Sequence, residues 1–417
     1  MQLILSIVGF IFVMGLAVLV HEIGHFVTAR KFGVKCHEFA IGMGPILWKK
    51  RKGETLYTIR AIPIGGFVMM GMDESERDII KEGAEIGLTL DQDGHVVNIH
   101  IQPEEGQIVA TLISNTLDVA NDLQMAVEVA GERHVYPVSR EAWYVDSKAD
   151  REQQIVPSDR RLEAKPKLQR LIIMAAGAIM NFILAYVLVL IVGVFLGEVV
   201  SSSVTLDAVE PGMPAYEAGL LAGDQLTAID NVAITGLVQV RFPSDEAISI
   251  DFIRNGIESQ IYVMPELRDE SYVIGVSFSF EQEFERSFLG TFRYANAQWR
   301  NGAMMIFDTL RMLGTGEVGF DQMAGFVGIA QMTGQVAALG IFPLLIFSSL
   351  ININLGIFNL LPLPALDGGH ITFIIIEAII GKPVSPKIQY RISMIGMILL
   401  LGLMVFVTFN DIVRIFS

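Results

Sequence analysis

One cysteine, Cys36, stands in 417 residues, so no intrachain disulfide can form. Charge is scarce. Asp, Glu, Lys and Arg make 18% of the chain against 52% apolar residues, and the mean hydropathy of +0.50 lies above the range of soluble globular chains. The net charge of −15 leaves no basic surplus and argues against nucleic acid as a partner. The largest absence is of charge in four long stretches: Leu3–Val20, the 27 residues Leu171–Gly197, the 45 residues Gln322–Leu366 and the 19 residues Ile392–Asn410. Each is long enough to cross a bilayer. The first lacks a basic lead-in and an A-x-A-like cleavage site, so it reads as an uncleaved span rather than a signal peptide.

Lys and Arg flank only some span ends. Arg30, Lys31 and Lys35 follow the first span, Lys165, Lys167 and Arg170 precede the second, and Lys382, Lys387 and Arg391 lie between the third and fourth. By the positive-inside rule these ends are cytoplasmic. His21-Glu22-Ile23-Gly24-His25 and Asp367 then fall at the same membrane depth, near the cytoplasmic side.

An ionisable group at that depth costs about 2.5–3.5 kcal/mol or more and marks function. H-E-x-x-H on a helix sets His21 and His25 one turn apart on one face, where two neutral imidazoles can chelate Zn²⁺. Glu22 is the adjacent base. Catalytic zinc takes three protein ligands and an open position, and Asp367 is the carboxylate at matching depth for the third. The stretch before it, "ININLGIFNLLPLPALDGGH", is broken by Pro362 and Pro364. Broken backbone at membrane depth is tolerated where it lines a cavity or is buried in protein. Asn354 and Asn359 precede the break, with amides suited to hold a substrate backbone, and His370 reads as a supporting or interfacial residue.

The polar parts divide the rest. Residues 36–72 alternate and are Gly-rich, with Lys52-Gly53 at a turn, and read as a re-entrant membrane β segment with an edge near Tyr57 and Ile59 able to take an extended substrate. Residues 73–165 read as a small β-rich cytoplasmic insert with turns at Asp93-Gly94 and Gly131-Glu132, whose histidines His95, His100 and His134 are surface or pairing residues. Residues 198–280, with a hairpin at Asn255-Gly256, resemble one bacterial PDZ domain placed outside the cell. Residues 281–338 suggest an amphipathic interfacial helix carrying Phe280, Phe284, Phe288, Phe292 and Tyr294. The spans become TM1 with HEIGH in 1–35, TM2 at 168–197, TM3 with the LDG motif at 339–372 and TM4 at 388–413. The expected fold is thus a polytopic α-helical membrane protein with these β parts.

HEIGH in the first span, the segment ending "IPIGGF", the PDZ-like insert and "NLLPLPALDGG" together resemble the site-2 protease family of intramembrane zinc metalloproteases, in its RseP-like bacterial branch with a single PDZ domain. The resemblance covers nearly the whole chain and is weakest at 73–160. It implies zinc on His21, His25 and Asp367, with Glu22 as base. It implies regulated intramembrane proteolysis in a bacterial inner or plasma membrane. The substrates it implies are single-span proteins, such as anti-sigma factors already trimmed by an upstream site-1 protease, and signal-peptide remnants. Three places depart from the family pattern: Ala176-Gly177-Ala178 before Asn181-Phe182, Gly325-Phe326-Val327-Gly328-Ile329, and Met43 in "IGMGP". None is a metal ligand. The rival reading is a zinc transporter or metal-gated membrane adapter, for which repeated halves with polar spans are expected. No such repeat is visible.

Overall fold

The computed structural model describes residues 2–71, 80, 83–114, 123–148, 151–230, 232–233, 246–268, 271–319 and 323–416. Parts of the expected 73–165, 198–280 and 281–338 regions therefore lie outside the described residues. Two compact units divide the chain: residues 1–188 with 299–417, and residues 189–298.

Helix α1 (Gln2–Lys31) carries the first apolar run straight through HEIGH. It stops where Gly33 takes a left-handed φ of 70° and Val34 N–H closes on Ala29 O at 2.9 Å. Arg30 and Lys31 sit favourably against the carbonyl end of the helix dipole.

β1 (Cys36–Lys52) and β2 (Thr55–Met70) follow. Lys49–Lys52 pair with Thr55–Thr58 around the Gly53 turn, as the sequence predicts. Both strands are bent, however. Glu38–Ile41 pair on one side with Leu56–Ile59 and on the other with Gly66–Met69. Gly42, Gly44 and Gly65, at φ of 84°, 82° and 81°, permit the bends. The edge expected at Tyr57 and Ile59 is corrected by this register. Tyr57 is flanked by Phe39 and Lys50, and Ile59 by Ile41 and Trp48, so both are interior and the edges are 46–52 and 66–70. Ile46, Leu47 and Trp48 remain exposed.

Six strands form the next sheet: β3 (Glu85–Leu90), β4 (Val96–His100), β5 (Ile108–Ser114), β6 (Gln124–Val129), β7 (Glu132–Asp146) and β8 (Arg151–Gln154). β4 pairs with both β3 and β7, which closes the sheet around Leu88, Ile99, Leu112 and Met125. The turn expected at Gly131-Glu132 lies one residue earlier. Ala130 and Gly131 take φ of 51° and 87°, and Glu132 already pairs with Val129. His134 stacks on Tyr136 and His100 Nε2 lies 3.2 Å from Thr89 Oγ1, so neither is brought into a metal cluster.

Helix α2 (Lys167–Leu196) leads into β9 (Glu198–Val209), the short α3 (Pro214–Ala218), β10 (Gln225–Ile229), β11 (Val232–Ala233), β12 (Ile248–Arg254), β13 (Ile257–Val263), β14 (Glu266–Arg268), β15 (Ser271–Val273) and β16 (Val276–Glu285). The sheet order is β13-β12-β10-β9-β16 over a core of Leu206, Leu220, Ile250 and Val263. Asn255 and Gly256 (φ 51° and 80°) make the hairpin tip the sequence predicts. β16 runs to Glu285, so Phe280 and Phe284 belong to a strand and not to the amphipathic helix expected from residue 281.

In this second unit Asp224 is buried and clasped by Arg254 through two bonds of 2.6 Å, and it accepts the Leu221 N–H at 2.8 Å. Burial alone would raise its carboxyl, but the Arg254 hydrogen bonds hold it below the ordinary carboxylate range. A carboxylate with a folded-state pKa below its unfolded value near 3.9 contributes stability that is present above that value. That stability is lost as pH falls toward the folded one. Asp224→Asn should therefore lower the stability of β10–β12 by about 1–3 kcal/mol at neutral pH, and the difference should shrink as pH drops below about 4. Hydrogen exchange in the full chain reads both.

Helices α4 (Phe288–Thr315), α5 (Phe326–Ala338), α6 (Ile341–Leu360), α7 (Asp367–Ile380) and α8 (Pro386–Phe416) complete the chain. The 45-residue uncharged stretch is thus two helices parted at Gly340 (φ 119°). Among the described residues four helices are long and apolar enough to cross a membrane: Ile4–Lys31, Lys167–Leu196, Ile341–Leu360 and Lys387–Val413. The protein is a multi-pass membrane protein of α-helices with β-rich parts.

Candidate metal centre

Helix α1 brings His21 and His25 to one face by their four-residue spacing. Against that face lies α2, at a distance only small residues allow. A Cβ on Gly24 would lie 2.8 Å from the Ala176 carbonyl carbon, and one on Gly177 would lie 2.7 Å from His21 Nε2 and overlap His25 Nε2. The Gly177 position, which departs from the family pattern only in its neighbour Ala178, is therefore where the wall of the site meets the imidazoles.

Asp367 arrives from the other side. α6 ends with Leu361 in extended conformation, and Pro362 and Pro364 prevent its continuation. Ala365 takes a left-handed φ of 73°, strained for a residue with a Cβ, and α7 begins at Asp367. Gly368 and Gly369 fold tightly under the loop. Cβ atoms there would strike the carbonyls of Leu361 and Leu363. Gly396 of α8 is pressed on Pro364 in the same way: a Cβ there would lie 2.7 Å from the Pro364 carbonyl oxygen. The break expected before Asp367 is present, and it starts a new helix whose positive N-terminal end favours the carboxylate.

Three ligand atoms meet. His21 Nε2 and His25 Nε2 are 3.1 Å apart, and each lies 3.2 Å from Asp367 Oδ2. His25 Nδ1 donates to Ile173 O at 2.8 Å. A carbonyl only accepts, so the neutral ring carries its hydrogen on Nδ1 and turns the Nε2 lone pair inward. Asp367 Oδ2 is buried with no hydrogen-bond donor. Tetrahedral zinc with bonds of about 2.0–2.1 Å spaces its ligand atoms roughly 3.3–3.4 Å apart, so the triangle has the size, and His25 the lone-pair direction, that a zinc ion requires.

Glu22 shares the neighbourhood of both imidazoles and Asp367, and its carboxylate accepts the Val68 N–H. A Cβ on Gly66 would lie 3.2 Å from Glu22 Cγ, so the 66–70 edge of β2 runs along this side chain. Asn354 lies on α6 with its Oδ1 buried and unpartnered. Asn359, half-buried on the last turn of α6, is not drawn into the hydrogen bonds around the three ligand atoms. Asn352 is fully buried and donates to Ser348 O at 2.8 Å, an internal helix contact. His370 faces Phe373 edge-on and lines a cavity of about 730 Å³ with Arg170, Glu377 and Tyr390, apart from the ligand triangle. Cys36 offers no nucleophile, since burial pushes its thiol up to about 12. Sequence reasoning passed over Gly66 and Val68, which reach Glu22 only through the bend at Gly65. It named Asn181 and Gly177 but gave them no part at the site.

Two imidazoles and one carboxylate, with a second carboxylate beside them on an apolar helix, form a candidate metal centre of the kind a membrane-embedded metallopeptidase needs. The chain belongs to peptidase family M50, whose pattern it matches over residues 9–403. It is 38% identical over 430 residues to the zinc metalloprotease RasP of Shouchella clausii, covering 99% of this chain and 100% of that one. It is 36% identical over 420 residues to the regulator of sigma-W protease RasP of Bacillus subtilis, covering 99% of each. To the zinc metalloprotease RasP of Geobacillus kaustophilus it is 36% identical over 419 residues, covering 99% of this chain and 98% of the relative. The protein is a zinc metalloprotease of the membrane, and its cofactor is Zn²⁺.

Proposed function

We propose that His21, His25 and Asp367 hold the zinc, that Glu22 is the general base, and that the enzyme cuts peptide bonds inside the spanning segments of single-span membrane proteins. The observation that carries this is the meeting of two imidazole nitrogens and a carboxylate oxygen within 3.2 Å of one another on otherwise apolar helices. Zinc at that point supplies a Lewis acid that polarises a carbonyl and acidifies a water. Glu22 takes the proton of the attacking water at a carboxylate oxygen and returns it to the leaving amide nitrogen. The Asn354 amide supports the substrate backbone, and Asn359 does so from one turn further along.

A helical substrate hides its carbonyls and must unwind first. Its freed backbone groups would cost several kcal/mol each in an apolar site. The 66–70 edge beside Glu22 offers pairing for them, with β1 and β2 as a re-entrant membrane segment. A stalled substrate in the Glu22→Gln protein should therefore cross-link to Met69→Cys through alternate residues, a period of two. Cross-links at helical spacing, or none, would remove strand addition.

The basic flanks support a site near the cytoplasmic side with both termini outside. The six-stranded sheet of the second unit, with its short helix at Pro214–Ala218, supports a single extracytoplasmic PDZ domain. The relative named for sigma-W regulation supports anti-sigma factors as one substrate class, after an upstream site-1 protease has removed their outer part, with signal-peptide remnants as another. Co-expression with candidate single-span proteins tests the reading. Shortened products should accumulate beside the wild-type enzyme and not beside His21→Ala. Identical patterns in both would refute it. A zinc transporter is not favoured, since the relatives are named as proteases over their full length.

A further inference from the structure

Beyond the ligands, and resting on the zinc site proposed above, we infer that Asn181 is a positioning residue for His21: its side-chain oxygen accepts the His21 Nδ1 hydrogen and so keeps Nε2 bare for the metal. Asn181 lies on α2 one turn beyond Gly177, the residue pressed against both imidazoles, and it is 1% exposed. Its amide reaches His21 Nδ1 at 3.3 Å. His25 has the same arrangement on its far side, where Nδ1 donates to the Ile173 carbonyl, also on α2. One helix therefore supplies the outer partner of both histidines.

The atom drawn toward His21 is the amide nitrogen, while Asn181 Oδ1 is buried without a partner. An N–H donor aimed at Nδ1 would demand a lone pair there and drive the ring hydrogen to Nε2. That hydrogen would then point at His25 Nε2 and Asp367 Oδ2, and His21 could not ligate. Oxygen and nitrogen of an amide have nearly the same shape, and their assignment is settled by the hydrogen bonds they make. Turned end for end, Asn181 sets Oδ1 against Nδ1–H and leaves the Nε2 lone pair facing the other two ligand atoms. The metal-binding chemistry selects this orientation. An outer partner that fixes the tautomer of a ligating histidine typically sets metal affinity by about 10–100-fold.

The test is a pair of substitutions in the full-length protein, with zinc retention titrated against a chelator and the melting temperature measured in the same detergent. Asn181→Leu keeps the shape and removes the acceptor, and should weaken zinc binding about 10–100-fold with little change in melting temperature. Asn181→Asp keeps an oxygen toward Nδ1 and should bind zinc at least as tightly as the wild type. Substituted cobalt should show the wild-type visible spectrum in Asn181→Asp and a shifted one in Asn181→Leu. If Asn181→Leu does not fold, Asn181→Ala carries the same comparison. Wild-type affinity in the apolar variant overturns the inference. So does an Asn181→Asp protein as weak as Asn181→Leu, which would make the amide a packing group. A wild-type protein that binds no zinc at all would instead refute the site itself.

Discussion

Glu22→Gln should leave the zinc in place and abolish proteolysis. The amide is nearly isosteric with the carboxylate, so the helix and the ligand triangle of His21, His25 and Asp367 are undisturbed, and it can still take the Val68 N–H that Glu22 accepts. It cannot take a proton from water. Removing a general base costs about 10²–10⁴-fold in rate. Cleavage of a single-span reporter in detergent, with zinc measured on the same preparation, reads both halves. Near-normal turnover with full zinc would take the role from Glu22 and give it to another group. Loss of zinc together with activity would instead make Glu22 part of the metal site.

Asp367→Ala should have the opposite signature and remove metal and activity together. Asp367 Oδ2 is the one anionic corner of the triangle, 3.2 Å from each imidazole nitrogen. Two neutral histidines one turn apart remain, and a site needing three protein ligands is left with two. The loss of affinity should exceed the roughly 10–100-fold that a supporting residue costs. The fold should survive, since Asp367 Oδ2 has no hydrogen-bond donor to lose and Pro362, Pro364 and the tight packing of Gly368 and Gly369 on the loop remain to start α7. Elemental analysis after dialysis against a weak chelator should find about one zinc per chain in the wild type and far less in Asp367→Ala and His21→Ala. Full retention in Asp367→Ala would dismiss Asp367 from the site.

The candidate metal centre was legible in the sequence because its parts break the local rule. Charge-capable residues sit where an apolar span forbids them, and each break has its own signature: the four-residue spacing of His21 and His25, and the prolines before Asp367. The spans were legible for the same reason. The sheet beside the site was not. Its strand composition was clear, and so was the Gly53 turn, but the bends at Gly42, Gly44 and Gly65 decide which segment becomes the edge. Glycine composition says only that such bends are allowed. That is why Tyr57 and Ile59 looked like edge residues and proved interior, while Gly66 and Val68 reached Glu22. In the same way β16 absorbed Phe280 and Phe284, since pairing with β9 to Glu285 outweighs the helical spacing of those aromatics. Asn181 was visible as a polar residue in a span, yet its contact with His21 depends on the distance from α2 to α1, which no spacing along the chain encodes.

The most direct measurement is made in sealed vesicles containing the purified protein and a single-span substrate, with the products identified by mass. The account predicts a cut within the apolar spanning segment of the substrate, stopped by a zinc chelator and restored by adding zinc back. A cut confined to the polar flanks, or one that persists with the metal removed, would contradict it.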